Sequence, residues 1–81
     1  MPTVARDGEF AFIVHTRELP FEPPHVHVVF GGDEVRIELG ANLFMEAPPE
    51  GKRRAILKAY ERHVDEIRRI WEEIHGSLEE G

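Results

Sequence analysis

His25 and His27 stand one residue apart in the run HVHVVF, residues 25–30. A β-strand sets alternate side chains on one face, so the two imidazoles point the same way. Parallel imidazoles suit two ligands of zinc or a similar divalent ion, with His15, Glu34 or Glu38 as a third donor and an open position for water. The same pair fits metal-free acid/base work or a phosphate contact, because imidazole titrates near neutrality. The third reading is a half-exposed sheet face on which both pair with Glu38 or with the Arg36–Glu34 neighbourhood. The His-x-His spacing does not separate the three. A second cluster, Lys52, Arg53, Arg54, Lys58 and Arg62, gathers at the start of a long helical pattern. Cations sit badly at the positive N-terminal end of a helix. Arg54, Lys58 and Arg62 also follow one another at four-residue spacing, where like charges repel. An acidic protein or a phosphate backbone would neutralise them; the alternative is a solvated basic end.

The elements that position these residues can be read from their spacing. The first strand is predicted over Glu9–Thr16, after the turn signal RDG. Phe10, Phe12 and Val14 form its bulkier set and face the core, which leaves Ala11, Ile13 and His15 on the face of His25 and His27. RELPFEPP follows as a loop, because its prolines continue neither a helix nor an inner strand. The second strand is His25–Phe30, GGDE is a tight turn, and the third strand is Glu34–Leu39. Register must bring the apolar set Val26, Val28 and Phe30 beside Val35, Ile37 and Leu39, since a one-residue slip turns the core residues out to water. Either allowed register sets His27 beside Arg36 or Glu38.

From Glu50 to His75, Leu57, Tyr60, Val64, Ile67, Trp71 and Ile74 recur at spacings of three and four, an apolar helix stripe. Pro48 and Pro49 suit its start, and His75 with Gly76 suits its end. His63 borders the stripe as a packing residue. On the outer face, Arg62–Glu66, Asp65–Arg69, Arg68–Glu72 and Arg69–Glu73 have the spacing of helix ion pairs. The predicted fold is α+β: a three-stranded antiparallel sheet (β-β-β), then one long α-helix packed on one face. Such a helix is about 39 Å long against about 20 Å for a six-residue strand. The segment NLFM (42–45), Leu19 and Phe21, or a second copy of the chain is expected to cover the overhang.

Composition narrows the classes. Eighty-one residues, 1–81, make one small domain near the lower limit for an unaided core. With no cysteine, neither a disulfide framework nor a thiolate zinc site is available. A net charge of −6 disfavours binding to nucleic acid by charge alone. No apolar run has the length of a membrane span, and the start lacks the layout of a signal peptide. The expectation is a soluble cytoplasmic protein.

MPTVARDG at the start, EPPHVHVVFGGDEVRIEL in the middle and IWEEIHG near the end resemble a small bacterial family known as domain of unknown function 4160. The likeness covers nearly the whole chain and carries over Pro24, His25, His27, Trp71 and His75. It implies short stand-alone proteins beside another small protein in toxin–antitoxin-like pairs, hence a protein partner more than a substrate. The helix entry APPEGKRR is more basic than the resemblance leads one to expect. Two functions follow. The first is a non-enzymatic interaction module, needing no cofactor, that binds itself as a homodimer or a small operon-encoded protein through the basic helix end, with nucleic acid as a further candidate partner there. The second is a metal-binding or phosphodiester-hydrolysing protein that uses His25 and His27, with help from His15, Glu38 or His75.

Overall fold

A computed structural model describes residues 3–15 and 22–76. Six elements follow in order: β1 (Thr3–Asp7), β2 (Phe10–Ile13), β3 (His25–Phe30), β4 (Asp33–Glu38), β5 (Leu43–Phe44) and α1 (Arg53–His75). The strands form one antiparallel meander in the order β1-β2-β3-β4-β5. The α+β class is as predicted, with one long helix, but the sheet has five strands rather than three. Both extra strands lack a readable pattern. β1 is a half-exposed edge strand whose register shifts between Thr3 and Ala5, and β5 has only two residues, too few to show alternation. Arg6 and Asp7 of RDG end β1, and Gly8 with Glu9 makes the turn into β2, so RDG is not the prelude to the sheet. The helix starts at Arg53, not Glu50: Gly51 takes a φ of 83° and a Lys52 N–H to Pro49 O bond makes a turn ahead of it.

The central register follows from burial. Val26 lies opposite Ile37 and Val28 opposite Val35, all essentially buried. His27 consequently faces Arg36, and His25 faces Glu38. Gly31 and Gly32, with φ of 47° and 86°, make the two-residue hairpin loop whose positive φ values match the twist of the strands. Phe10, Phe12 and Val14 point into the core as expected, and the Phe10 and Phe30 rings meet edge to face at 5.2 Å.

The helix buries Ile56, Ala59, Tyr60, Ile67 and Trp71. Val64, Ile70 and Ile74 pack at the margin of the core. Ile56 takes the position expected of Leu57, which is only half-buried. Of the expected covers for the overhang, Phe44 packs against the core, whereas Leu43 is 64% exposed. Leu19 and Phe21 lie outside the described residues. Asn42 ties the β4–β5 turn to the helix: its Oδ1 accepts from Tyr60 Oη at 2.6 Å and from Arg68 at 2.8 Å. Its backbone sits at φ 59°, a left-handed conformation that asparagine tolerates better than alanine. Arg68 also donates to Leu39 O at 2.7 Å.

Two losses can therefore be separated at Asn42. Asn42→Ala is expected to lose the hydrogen bonds and strain the backbone, and Asn42→Gly to lose only the bonds. Asn42→Ala should cost about 2–3 kcal/mol and Asn42→Gly about 1 kcal/mol less. Thermal melts will show the difference as a gap of about 4–8 °C between the two variants.

Candidate functional site

The histidine face is built at one end of the sheet. Register sets Ile13 opposite His27, and His15 follows two residues beyond it on the same side. The His15 and His27 rings meet edge to face with centroids 4.0 Å apart. The next step, from His27 to His25, is 4.9 Å. The chain of rings then leaves the sheet: His25 lies 5.9 Å from Trp71, and Trp71 stacks on His75 at 4.0 Å and 31°. Five rings, from the segment just after β2, from β3 and from the last turns of α1, thus form one continuous cluster.

His25 is fully buried, which corrects the expectation of a histidine face open to solvent and out of the helix's reach. Alternation assigns a residue to a face but does not say what lies past a strand's end. His25 is the first residue of β3, and a 23-residue helix of about 34 Å runs past strands of about 20 Å. Its C-terminal turns carry Trp71 and His75 to that end.

Hydrogen bonds fix the rings. Pro23 O lies 2.8 Å from His25 Nδ1, and a carbonyl only accepts, so Nδ1 carries the proton. The His27 Nδ1–H donates to Glu34 Oε2 at 2.6 Å. The His75 Nε2–H donates to His15 O at 2.7 Å, which ties the helix end to the segment just beyond β2. Carbonyl and carboxylate acceptors of this kind orient imidazoles in metal sites and in acid/base sites alike. Among the described residues, however, no group of three or more His, Cys, Asp or Glu side chains is placed to hold a metal ion.

Arg36, opposite His27, is held within the sheet's outer face. Its guanidinium reaches Glu46 at 2.9 Å and Glu22 at 2.7 Å, and the Glu46 carboxylate also accepts from its backbone N–H. Burial pushes the Glu46 carboxyl up, but the hydrogen bonds and charge of Arg36 outweigh it, and the group ends below its ordinary value. Neither Glu22 nor Glu46 stood out in the sequence, because both lie in loops whose approach to Arg36 no periodicity reports. Glu38 sits opposite His25.

The basic helix end is partly neutralised from within. Lys52 pairs with Glu9 at 2.9 Å, and Arg62 pairs with Asp7 at 2.7 Å. Arg53 lies over the Phe44 ring, 5.1 Å from its centroid. Asp7 also accepts from His63 Nε2 at 3.0 Å, while the His63 ring packs 6.0 Å from Phe12. Hydrogen bonding from Arg62 is the main cause that holds the Asp7 carboxyl below its usual value. The acids responsible come from the β1–β2 hairpin, which the sequence pattern did not place against the helix. Arg54 and Lys58 are exposed and make no ion pair among the described residues. Of the expected helix pairs, Arg69–Glu73 forms, at 2.8 Å. Arg62 turns to Asp7, Arg68 to Leu39 O and Asn42, and Arg69 takes Glu66 in place of Asp65. Beside these residues a shallow cleft of about 300 Å³ runs between the helix and Asn42, lined by Leu57, Tyr60, Val64 and Arg68 under the acids Glu61 and Asp65.

No helix among the described residues is long and apolar enough to cross a membrane. The family model described as domain of unknown function DUF4160 matches residues 10–72, from the start of β2 to one turn short of the helix end. The chain belongs to that family. The match takes in His15, His25, His27 and Trp71, while His75 lies just beyond it. No curated protein and no solved structure matches the chain.

Acid should loosen this arrangement in a defined way. Asp7 and Glu46 have carboxyls lowered by folding from ordinary values of 3.8 and 4.5. Their stabilisation is therefore full above those values and is lost as pH falls through and below them. Glu46→Gln is expected to lower stability at neutral pH and to flatten the fall between about pH 5 and pH 3, as read by urea unfolding at each pH.

Proposed function

We propose that the chain is a non-enzymatic interaction module of a small bacterial operon, a toxin–antitoxin-like component working in the cytoplasm, that docks a protein through the outer face of α1. One observation carries this reading. Lys52 and Arg62 are neutralised by Glu9 and Asp7, whereas Arg54 and Lys58 between them stay exposed, one helical turn apart, with no ion pair among the described residues. Two like charges left side by side on a helix cost a few tenths of a kcal/mol, and an acidic surface brought against them removes that cost. The overall charge of −6 weighs against nucleic acid as the main partner. The ring cluster then has a structural task, holding the helix end to the sheet.

A second reading keeps the cluster as a site: a metal-binding or phosphodiester-hydrolysing protein built on His25 and His27. It is supported by the Nδ1–H bonds of both rings to Pro23 O and Glu34, since acceptors of this kind orient imidazoles that ligate a metal or move a proton.

The readings part experimentally. Under the first, Arg54→Glu/Lys58→Glu abolishes co-purification with the co-expressed products of neighbouring genes, and wild-type complexes weaken as salt rises; retention in the variant refutes it. Under the second, untagged protein carries near-stoichiometric metal that the His25→Ala/His27→Ala variant loses. Trace metal in the folded wild type removes the metal form of that reading.

A further inference from the structure

The inner stripe of α1 is taken up by its own sheet, so a second copy of the chain cannot use it. A different stripe remains on the outer face. Arg54, Lys58, Glu61 and Asp65 follow at spacings of four, three and four, which keeps them on one line along the helix. All four are exposed, and none makes an ion pair among the described residues. Lys58 and Glu61 stand one turn apart without pairing, and Arg69, one turn beyond Asp65, is bound to Glu66 and Glu73 instead.

The signs along this line are plus, plus, minus, minus. Within one helix that order sets like beside like, Arg54 against Lys58 and Glu61 against Asp65, both at the four-residue spacing where repulsion is felt. Against an antiparallel copy the same order is complementary. Lys58 meets the second copy's Glu61 and Arg54 meets its Asp65 in one register, because both pairs share a midpoint between Ala59 and Tyr60. The two-fold axis repeats each pair, as an isologous interface requires. Half-buried Leu57 and Val64, which line the shallow cleft beside the stripe, supply apolar contact along its flank.

We infer that the outer stripe Arg54–Lys58–Glu61–Asp65 is an antiparallel homodimer seam, the second copy setting its acids against the first copy's bases. This rests on the reading of the outer face of α1 as a protein-docking surface and names the occupant.

Sedimentation equilibrium of the full chain, with circular dichroism to establish folding, tests the seam through complementary charge. The wild type should dimerise. Arg54→Glu/Lys58→Glu, with four acids in line, and Glu61→Arg/Asp65→Arg, with four bases, should each weaken self-association about tenfold or more. An equimolar mixture of the two should restore a dimer of one of each, and the variant carrying all four reversals should dimerise like the wild type. These associations should weaken when salt is raised from about 0.05 to 0.5 M. A monomeric wild type, or two double variants that dimerise alone and do not prefer each other, overturns the seam. If the wild type is monomeric while Arg54→Glu/Lys58→Glu still abolishes binding to a neighbouring gene product, the docking surface stands and only its occupant falls. If neither association depends on these residues, both readings fail.

Discussion

A helix of 23 residues lies on strands of two to six, and that mismatch in length shapes the rest of the molecule. The sheet can bury only the middle of such a helix. Each end must find contacts that the strands' own alternation does not provide. From the N-terminal end to the middle they are ionic: Glu9 and Asp7 of the β1–β2 hairpin meet Lys52 just ahead of the helix and Arg62 and His63 near its middle. At the C-terminal end they are aromatic, and His15, His27 and His25 extend the core as a row of rings to Trp71 and His75.

The two ends differ in how they respond to solvent. The ion pairs toward the N-terminal end are exposed, and pairs of that kind contribute little each and fade with salt. The ring cluster is closed, with His25 fully buried and three imidazoles anchored by hydrogen bonds. A buried polar ring is costly unless its N–H groups are satisfied, which explains why backbone carbonyls at Pro23 and His15 stand beside the rings. Gly76 adds its N–H to Glu72 O and ends the helix where His75 has made its bond. The helix terminus is thereby set by tertiary contact as much as by its own sequence.

The core of this arrangement was legible in the sequence wherever burial is one-sided. HVHVVF and EVRIEL alternate, and burying both apolar sets confined His27 to a place beside Arg36 or Glu38, of which the structure takes Arg36. The stripe through Tyr60, Ile67 and Trp71 was equally plain. What escaped were features without a period: a half-exposed edge strand at 3–7, a two-residue strand at 43–44, and the loop acids Glu22 and Glu46 that take hold of Arg36. The burial of His25 escaped for a different reason. It depends on where a helix of given length comes to lie, which is a property of the assembled layers and not of the strand that carries the residue. Asp7 likewise looked like a turn residue, and Glu9 like the start of a strand, until the hairpin folded them against the helix.

The distribution of charge on α1 follows from the same packing. Basic side chains near a hairpin acid or a backbone carbonyl are drawn to it: Arg62 to Asp7, Arg68 to Leu39 O and Asn42, Lys52 to Glu9. Arg62 and Arg68 leave the helix-surface pairs that their spacing would have allowed, and Arg69, with two acids of its own, leaves Asp65. Four exposed charges without an ion pair among the described residues are left in line on the outer face, Arg54, Lys58, Glu61 and Asp65. Arg54, in the first turn, opposes the positive end of the helix macrodipole, and along the line like charges repel at four-residue spacing. A helix that satisfied only its own fold would gain by reversing that order. The retained order makes sense for a surface whose electrostatic partner comes from outside the chain.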